Sequence, residues 1–174
     1  MSAHSINKNM AYPIFKEQQS YRGTWVMYLI LMVELPSLIL VSVLVLNEPG
    51  ELNDKALTLT LILSIMMLAF FFLMSIQLNT RIDDTGIHYR YFPFIKWRTI
   101  SKDQIHEMKV VQFNPLSDHG GWGIKGNRST KAYTVIGHHG LEIDLGEKKK
   151  VLIGTQKEKE LRPFLEYWKE ENHG

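Results

Sequence analysis

Glu34 is a carboxylate near the middle of an apolar run covering residues 25–46, a setting in which an ionisable group must be neutralised, paired or put to use. At mid-membrane a charge costs on the order of 2.5 to 3.5 kcal/mol on insertion scales, while each Leu, Ile or Val of the run returns about 0.3 to 0.6 kcal/mol, so insertion still wins. Pro36 removes a backbone donor and crowds the carbonyl of Met32, which predicts a kink and a freed acceptor beside Glu34. In an antiparallel hairpin with a second apolar run at residues 56–78, the depth of Glu34 falls opposite Ser64 through Leu68. Ala56, Thr60 and Ser64 recur every four residues, a small-residue face that admits another helix closely. Ser64 is therefore the expected partner of a protonated Glu34. The plainer role is glue within the hairpin or between subunits. A proton or ion path would need an oligomer, since two helices cannot enclose one.

Gly121-Trp122-Gly123-Ile124-Lys125-Gly126 satisfies G-x-G-x-x-G, with Asp144 about 20 residues further on, the outline of a dinucleotide fingerprint. That fingerprint needs a strand before it and a helix after it, whereas Asn127-Arg128-Ser129-Thr130 leads into another strand. The expectation is a glycine-rich bulge or loop with Trp122 packed on its neighbours, and no cofactor. The competing role is a recognition loop in which Trp122, Lys125, Arg128 and Lys131 meet a lipid or protein. Lys148-Lys149-Lys150 form a second cationic group, solvated or docked on anionic lipid, where each basic residue is worth about 1 kcal/mol. Of the seven histidines only His138 and His139 are adjacent, and neighbours in a tight turn point apart; without cysteine or H-x-x-x-H spacing no metal site is expected. Spacing alone argues no nucleophile–base–acid arrangement, because such sets are defined by geometry.

These residues are positioned first of all by the two apolar runs. About 20 helical residues span the ~30 Å hydrocarbon layer, and both runs reach that length. The mean hydropathy of −0.12 averages an apolar first half and a polar second half. The first run starts too late and lasts too long for a cleaved signal peptide, so it is expected to remain as an anchor. Tyr21, Trp25 and Tyr28 mark a membrane boundary near Trp25. The connection at residues 47–55 carries Glu48, Glu51 and Asp54 with only Lys55 basic. Lys8, Lys16 and Arg22 precede the hairpin, and Arg81, Arg90, Lys96 and Arg98 follow it. Basic residues stay in the cytoplasm, so both termini are expected inside. With 20 Lys+Arg against 18 Asp+Glu, no concentrated basic character argues for nucleic acid as a partner.

From Thr80 the pattern alternates as strands do. Asp83-Asp84-Thr85-Gly86 reads as a turn, with strands around residues 87–92, 95–100, 106–113, 132–136, 141–145 and 151–153. Gly137-His138-His139-Gly140 and Gly146-Glu147-Lys148-Lys149 read as hairpin connections. Thr155-Gln156-Lys157-Glu158 fits a capping box, and Leu161, Phe164, Leu165 and Trp168 make one apolar stripe, with Pro163 expected to kink or restart the helix. The fold class is therefore α+β: a two-helix transmembrane hairpin, then about seven strands in a bent antiparallel sheet capped by a C-terminal helix.

With the stretches Arg81-Ile82-Asp83-Asp84-Thr85-Gly86-Ile87, Gly120-Gly121-Trp122-Gly123-Ile124 and Leu152-Ile153-Gly154-Thr155-Gln156, the chain resembles, over roughly residues 15 to 170, a group of uncharacterised bacterial membrane proteins in which two transmembrane helices precede a pleckstrin-homology-like domain. The resemblance implies that fold and no activity, and it carries over no ligand residues. The organisation expected is a cytoplasmic segment 1–24, transmembrane helices 25–46 and 56–78 joined by a short external loop 47–55, and a cytoplasmic PH-like domain 80–171. The function expected is a non-enzymatic interaction or scaffolding protein of the inner membrane, its partners membrane lipids, another membrane protein or a second copy of itself. The second expectation is an accessory subunit of a transporter or ion-translocating complex, with Glu34 at its interface.

Overall fold

The two apolar runs form helices α1 (Trp25–Asn47) and α2 (Leu52–Ser75) in a computed structural model that describes residues 14–126 and 129–173. Both are long and apolar enough to cross a membrane. α1 continues through Pro36, and the Ser37 hydroxyl donates to the Val33 carbonyl at 2.7 Å. Lys55 Nζ reaches across the turn to the Leu46 carbonyl at 3.0 Å, where a cation meets the negative end of α1. The half-buried apolar positions on α2 are Leu59, Ile62, Met66, Phe70 and Leu73, at helical spacing, and half-buried positions on α1 include Ile30, Glu34, Leu38, Val41 and Val45. Large side chains thus make the seam. Ala56, Thr60 and Ser64, expected to receive α1, are exposed on the outer side, because the Leu–Ile–Met–Phe face buries far more apolar area.

The segment before α1 differs from the polar lead-in expected there. Phe15–Ser20 is strand β1, pairing antiparallel with β2 (Gln77–Asp83) from Phe15↔Ile82 to Ser20↔Gln77. Its inward residues are Phe15, Glu17 and Gln19. Two of the three are polar, so no apolar alternation marks the strand. Glu17 is nonetheless fully engaged: Oε2 accepts from the Thr155 hydroxyl at 2.6 Å and Oε1 from the Gln156 N–H at 2.7 Å. Burial pushes its carboxyl above the usual range, and those two hydrogen bonds pull the other way. Gln19 Nε2 donates to the Gly154 carbonyl at 2.6 Å. Because β1 precedes α1 and β2 follows α2, the helical hairpin is an insertion between two paired strands. α2 also ends before residue 78, where Leu78 is completely buried in the β core.

β2 leads into β3 (Gly86–Phe92) and β4 (Ile95–Ser101), giving an antiparallel sheet of order β1-β2-β3-β4. A short 3-10 turn, Lys102–Gln104, passes to the second sheet: β5 (Glu107–Gln112), β6 (Gly123–Gly126), β7 (Thr130–Thr134), β8 (His139–Asp144) and β9 (Lys150–Thr155), in the order β5-β8-β9-β7-β6. The described residues thus hold nine strands where about seven are expected, β1 and the glycine-rich β6 being the additions. Gly126, at φ 130°, must be glycine, since a Cβ there would lie 2.1 Å from the Thr130 carbonyl oxygen. Between β5 and β6 a helical turn, α3 (Pro115–His119), is capped by Asn114, whose side chain accepts from the Leu116 and Ser117 N–H groups. The connection through Gly137 and His138 is not a hairpin: β9 lies between β7 and β8 and pairs with β7 in parallel. The turn between β8 and β9 is a hairpin as expected.

Helix α4 (Glu158–His173) packs Leu161, Leu165 and Trp168 into a core shared by both sheets, with Leu78, Ile82, Ile87, Tyr89, Tyr133, Leu141, Ile143 and Ile153. Burial of Leu161 and Leu165 is worth about 1.5–3 kcal/mol each. The Trp168 indole donates to the Asp83 carbonyl at 2.9 Å. α4 runs through Pro163 as one helix. The capping box is replaced: Thr155 Oγ1 accepts from the Lys157 N–H, and Glu158 turns to Arg162 and His139 instead of back to Thr155.

Candidate functional site

Within the helices, Glu34 lies half-buried on the seam side of α1, but no hydrogen bond joins it to Ser64. The Ser64 hydroxyl donates to the Thr60 carbonyl at 2.7 Å, and Thr60 donates in turn to Ala56 at 2.8 Å. Both polar groups are thus positioned, on different faces.

Where the helices meet the β domain, the chain is short and well tied. Only residues 21–24 separate β1 from α1, and Ile76 alone separates α2 from β2. Arg22 Nε donates to the Met74 carbonyl at 2.9 Å, and Thr24 Oγ1 to the Tyr21 carbonyl at 2.7 Å. Burial raises the Tyr21 phenol above its ordinary value, opposed by its hydrogen bond with Tyr91. Two turns of the β domain reach this end. Phe94, in the turn between β3 and β4, meets Phe72 of α2 edge to face at 6.0 Å. Trp122 meets Trp25 of α1 edge to face at 6.0 Å, while its indole N–H donates to the Gly137 carbonyl at 3.0 Å. Trp122 therefore both packs on its neighbours and ties the domain to α1. Phe92, Phe94 and Trp97 remain exposed, and the Arg90 guanidinium lies 5.8 Å from the Phe92 ring and 5.3 Å from the Trp97 ring. Exposed aromatics and cations beside the ends of membrane-length helices are the composition of an interfacial belt.

Lys125 and Lys131 come together; Arg128 lies outside the described residues. They line a hollow of 480 Å³ with Arg98, Ile95, Ile124, Gly126 and Tyr133, between β4, an edge of the first sheet, and β6, an edge of the second. Among the described residues, no Asp or Glu is in this lining. Arg98 lies opposite Tyr89 in the β3–β4 register, and the Tyr89 ring packs on Tyr133 at 5.1 Å between centroids. Burial, reinforced by Tyr133 and opposed by Arg98, pushes the Tyr89 phenol up to about 12. Arg98 is the member that spacing did not single out. The signal available was Lys96-Trp97-Arg98, where cations flank an aromatic on an edge strand.

The lysine turn is placed elsewhere. β6 has its Gly123 end beside the Trp122 that touches Trp25, Gly123 pairs with Thr134, and β9 runs parallel to β7. Lys150 therefore begins β9 at the other end of the strands, opposite Thr130 and four residues from Thr134, about 13 Å at strand rise. There Lys149 pairs with Glu147 at 2.9 Å and Lys150 with Glu142 at 3.2 Å, leaving this group largely neutralised. The hydrogen bond from Lys149 holds the Glu147 carboxyl below its usual range, and that from Lys150 to Glu142 raises the lysine.

One arrangement has the distances of a nucleophile, base and acid: Thr99 Oγ1 lies 2.9 Å from His88 Nδ1, and His88 Nε2 lies 3.2 Å from Asp83 Oδ1. Burial alone would raise Asp83, but hydrogen bonds from the Thr85 hydroxyl, His88 and the Thr85 N–H, with the His88 charge, hold its carboxyl at about 2. The register Arg81↔His88↔Thr99 makes the row an ordinary cross-strand ladder. The adjoining hollow of 440 Å³ is lined by Arg81, Asp83, Asp84, Thr85, His88 and Trp97, and not by Thr99. Among the described residues no group of three His, Asp or Glu side chains is arranged to hold a metal ion.

The chain is thus an α+β protein with two membrane-length apolar helices, a four-stranded and a five-stranded sheet and a C-terminal helix; no protein-family model matches it, and neither a curated protein nor a solved structure is significantly similar to it.

Proposed function

We propose that this is a membrane-anchored, non-enzymatic interaction or scaffolding protein of the bacterial inner membrane, with a pleckstrin-homology-like β domain held on the cytoplasmic face beside both termini. The observation that carries the reading is the insertion of α1 and α2 between the paired strands β1 and β2, with linkers of four residues and one. A domain joined through two adjacent strands is fixed in height and orientation above the bilayer, which suits a module presenting one surface to a partner. The basic residues that follow the hairpin support the cytoplasmic placement. Because the chain has no cysteine, single cysteines report topology directly. Asn53→Cys should react with an impermeant maleimide on intact cells and Lys148→Cys only after permeabilisation; the opposite pattern refutes the orientation. Affinity purification from detergent extracts, followed by mass spectrometry, tests the role. Recovery of the same membrane protein or lipid in fixed proportion supports it, and recovery of the chain alone refutes it.

The second reading, an accessory subunit of a transporter or ion-translocating complex, is favoured by one observation. The Ala56, Thr60 and Ser64 face is turned outward, free to receive a helix of another chain, while Glu34 lies on the seam. A transporter subunit recovered stoichiometrically in the same purification selects it.

A further inference from the structure

We propose that the groove between α1 and α2 receives a transmembrane helix of another membrane protein, one that carries a lysine or arginine at mid-bilayer depth, with Glu34 as its counter-ion. The inference rests on the membrane-anchored reading and names the kind of partner. Depth is the first observation. Trp25 opens α1 and Glu34 lies nine residues further on, about 14 Å at helical rise, close to the middle of a ~30 Å hydrocarbon layer. A carboxylate there is expensive, and membrane proteins keep such a group where it faces the interior of an assembly and meets a partner.

The hairpin itself supplies none. Among the described residues, no side chain hydrogen-bonds or forms an ion pair with Glu34. The hydroxyl protons nearest its depth are engaged within their own helices: Ser37 donates to Val33 at 2.7 Å, Thr60 to Ala56 at 2.8 Å and Ser64 to Thr60 at 2.7 Å. α1 contains no Lys, Arg or His, and the one cation of α2, Lys55, lies in its first turn and donates to the Leu46 carbonyl.

Glu34 is accessible from outside the pair. It is half-buried on the seam side of α1 with Leu38, as are Ile62 and Met66 on α2, and no residue of α1 is buried. A seam between two helices is open along both flanks. A third helix laid in one flank packs apolar side chains on the groove, while the long flexible stem of a lysine or arginine carries its charge to the carboxylate. Charge complementarity selects this occupant. A cation neutralises the carboxylate and forms a charge-assisted hydrogen bond, roughly twice as strong as a neutral one. A second copy of the chain would bring a like carboxylate to the same depth, which repels. A wholly apolar helix would leave the carboxylate as costly as before.

The experiment places the full chain, labelled through Lys148→Cys, in phosphatidylcholine vesicles with synthetic leucine–alanine helices of about 20 residues labelled for energy transfer. The helices differ only at their central residue, which is Lys, Leu or Glu. The chain with native Glu34 is expected to bind the Lys helix about ten-fold more tightly than the Leu helix, the upper range for a hydrogen bond between membrane helices. Glu34→Gln keeps the shape without the charge and should bind the two helices alike. Glu34→Asp keeps the charge and should restore the preference. Circular dichroism and resistance to carbonate extraction, equal to those of the native chain, show that each variant is folded and in the bilayer. Equal binding of the Lys and Leu helices by the native chain overturns the proposal, as does a preference for the Lys helix that Glu34→Gln retains. Tightest binding of the Glu helix assigns the carboxyl to a like acid, as in self-association, and also overturns it. Extraction of the native chain by carbonate, read before any helix is added, refutes the membrane reading itself.

Discussion

Glu17→Ala should unfasten β1 from the rest of the domain. The Glu17 carboxylate is 7% exposed and receives the Thr155 hydroxyl at 2.6 Å and the Gln156 N–H at 2.7 Å. Hydrogen bonds to a charged acceptor are worth about 1.5–3 kcal/mol each, so the gross loss is about 3–6 kcal/mol. Two terms reduce it. Gln156 is exposed, so water can take over its N–H, and the raised carboxyl pKa means that burial already penalises the charge being removed. The expected net cost is about 2–3 kcal/mol for Ala, and about 1 kcal/mol for Gln, which keeps one acceptor. At roughly 3 °C per kcal/mol for a chain of this size, Ala lowers the unfolding midpoint by about 6–9 °C. Thermal unfolding of the full chain in detergent micelles, followed by near-ultraviolet circular dichroism, measures it.

The pH dependence makes the test specific. The folded carboxyl has its pKa raised above the unfolded 4.5, so the native state binds the proton more tightly. Its contribution is fully present below pH 4.5 and is lost as pH rises through the folded value. The gap between wild type and Glu17→Gln must therefore narrow from pH 4 towards pH 8. A gap that stays constant, or a loss in Glu17→Ala below about 1 kcal/mol, refutes the placement of a buried carboxylate at the junction of β1 and α4.

Three further outcomes follow from the same structure. Gly126→Ala, with its Cβ driven against the Thr130 carbonyl at φ 130°, should cost about 3 kcal/mol or more, whereas Gly121→Ala, at φ 114° with open space around it, should cost only the backbone strain of about 1–2 kcal/mol; thermal unfolding of the two variants side by side checks the difference. Asp83 titrates at about 2 when folded against 3.8 in the unfolded chain, so it contributes up to about 2 kcal/mol above pH 4 that is lost as pH falls towards 2, and Asp83→Asn should flatten the acid side of a stability–pH curve. Glu34→Gln should leave membrane abundance and any oligomer seen by size-exclusion chromatography nearly unchanged, and a variant that loses activity while staying assembled would count against a structural role.

The helices were legible because their signal is long and uninterrupted. The strands of β2 to β5 were legible because one face is apolar: Ile82, Ile87, Tyr89, Tyr91 and Ile100 alternate inward. β1 was not legible, since its inward Glu17 and Gln19 hydrogen-bond Thr155, Gln156 and Gly154, partners more than 130 residues away. β6 was hidden by its two glycines, of which Gly126 is required for close approach rather than for a loop, and the parallel pairing of β7 with β9 is a non-local choice that no turn announces. The seam of the hairpin reversed the expectation drawn from Ala56, Thr60 and Ser64, because a periodic stripe says that a face exists and not what meets it. Lys125 and Lys131, singled out by type and proximity, line one hollow with Arg98, which only the meeting of the two sheet edges brings beside them.

The insertion of the helices between β1 and β2 also sets an order on synthesis. β1 leaves the ribosome first but has no edge to pair with until both helices have been made and β2 follows. In a bilayer, the two strands can meet only if the helices enter as a pair and return the chain to the side it left. A hairpin that inserted one helix alone would strand β1 across the membrane from its partner, leaving Leu78 and Ile82 uncovered on that edge. In a bilayer, pairing of β1 with β2 therefore requires both helices to cross together.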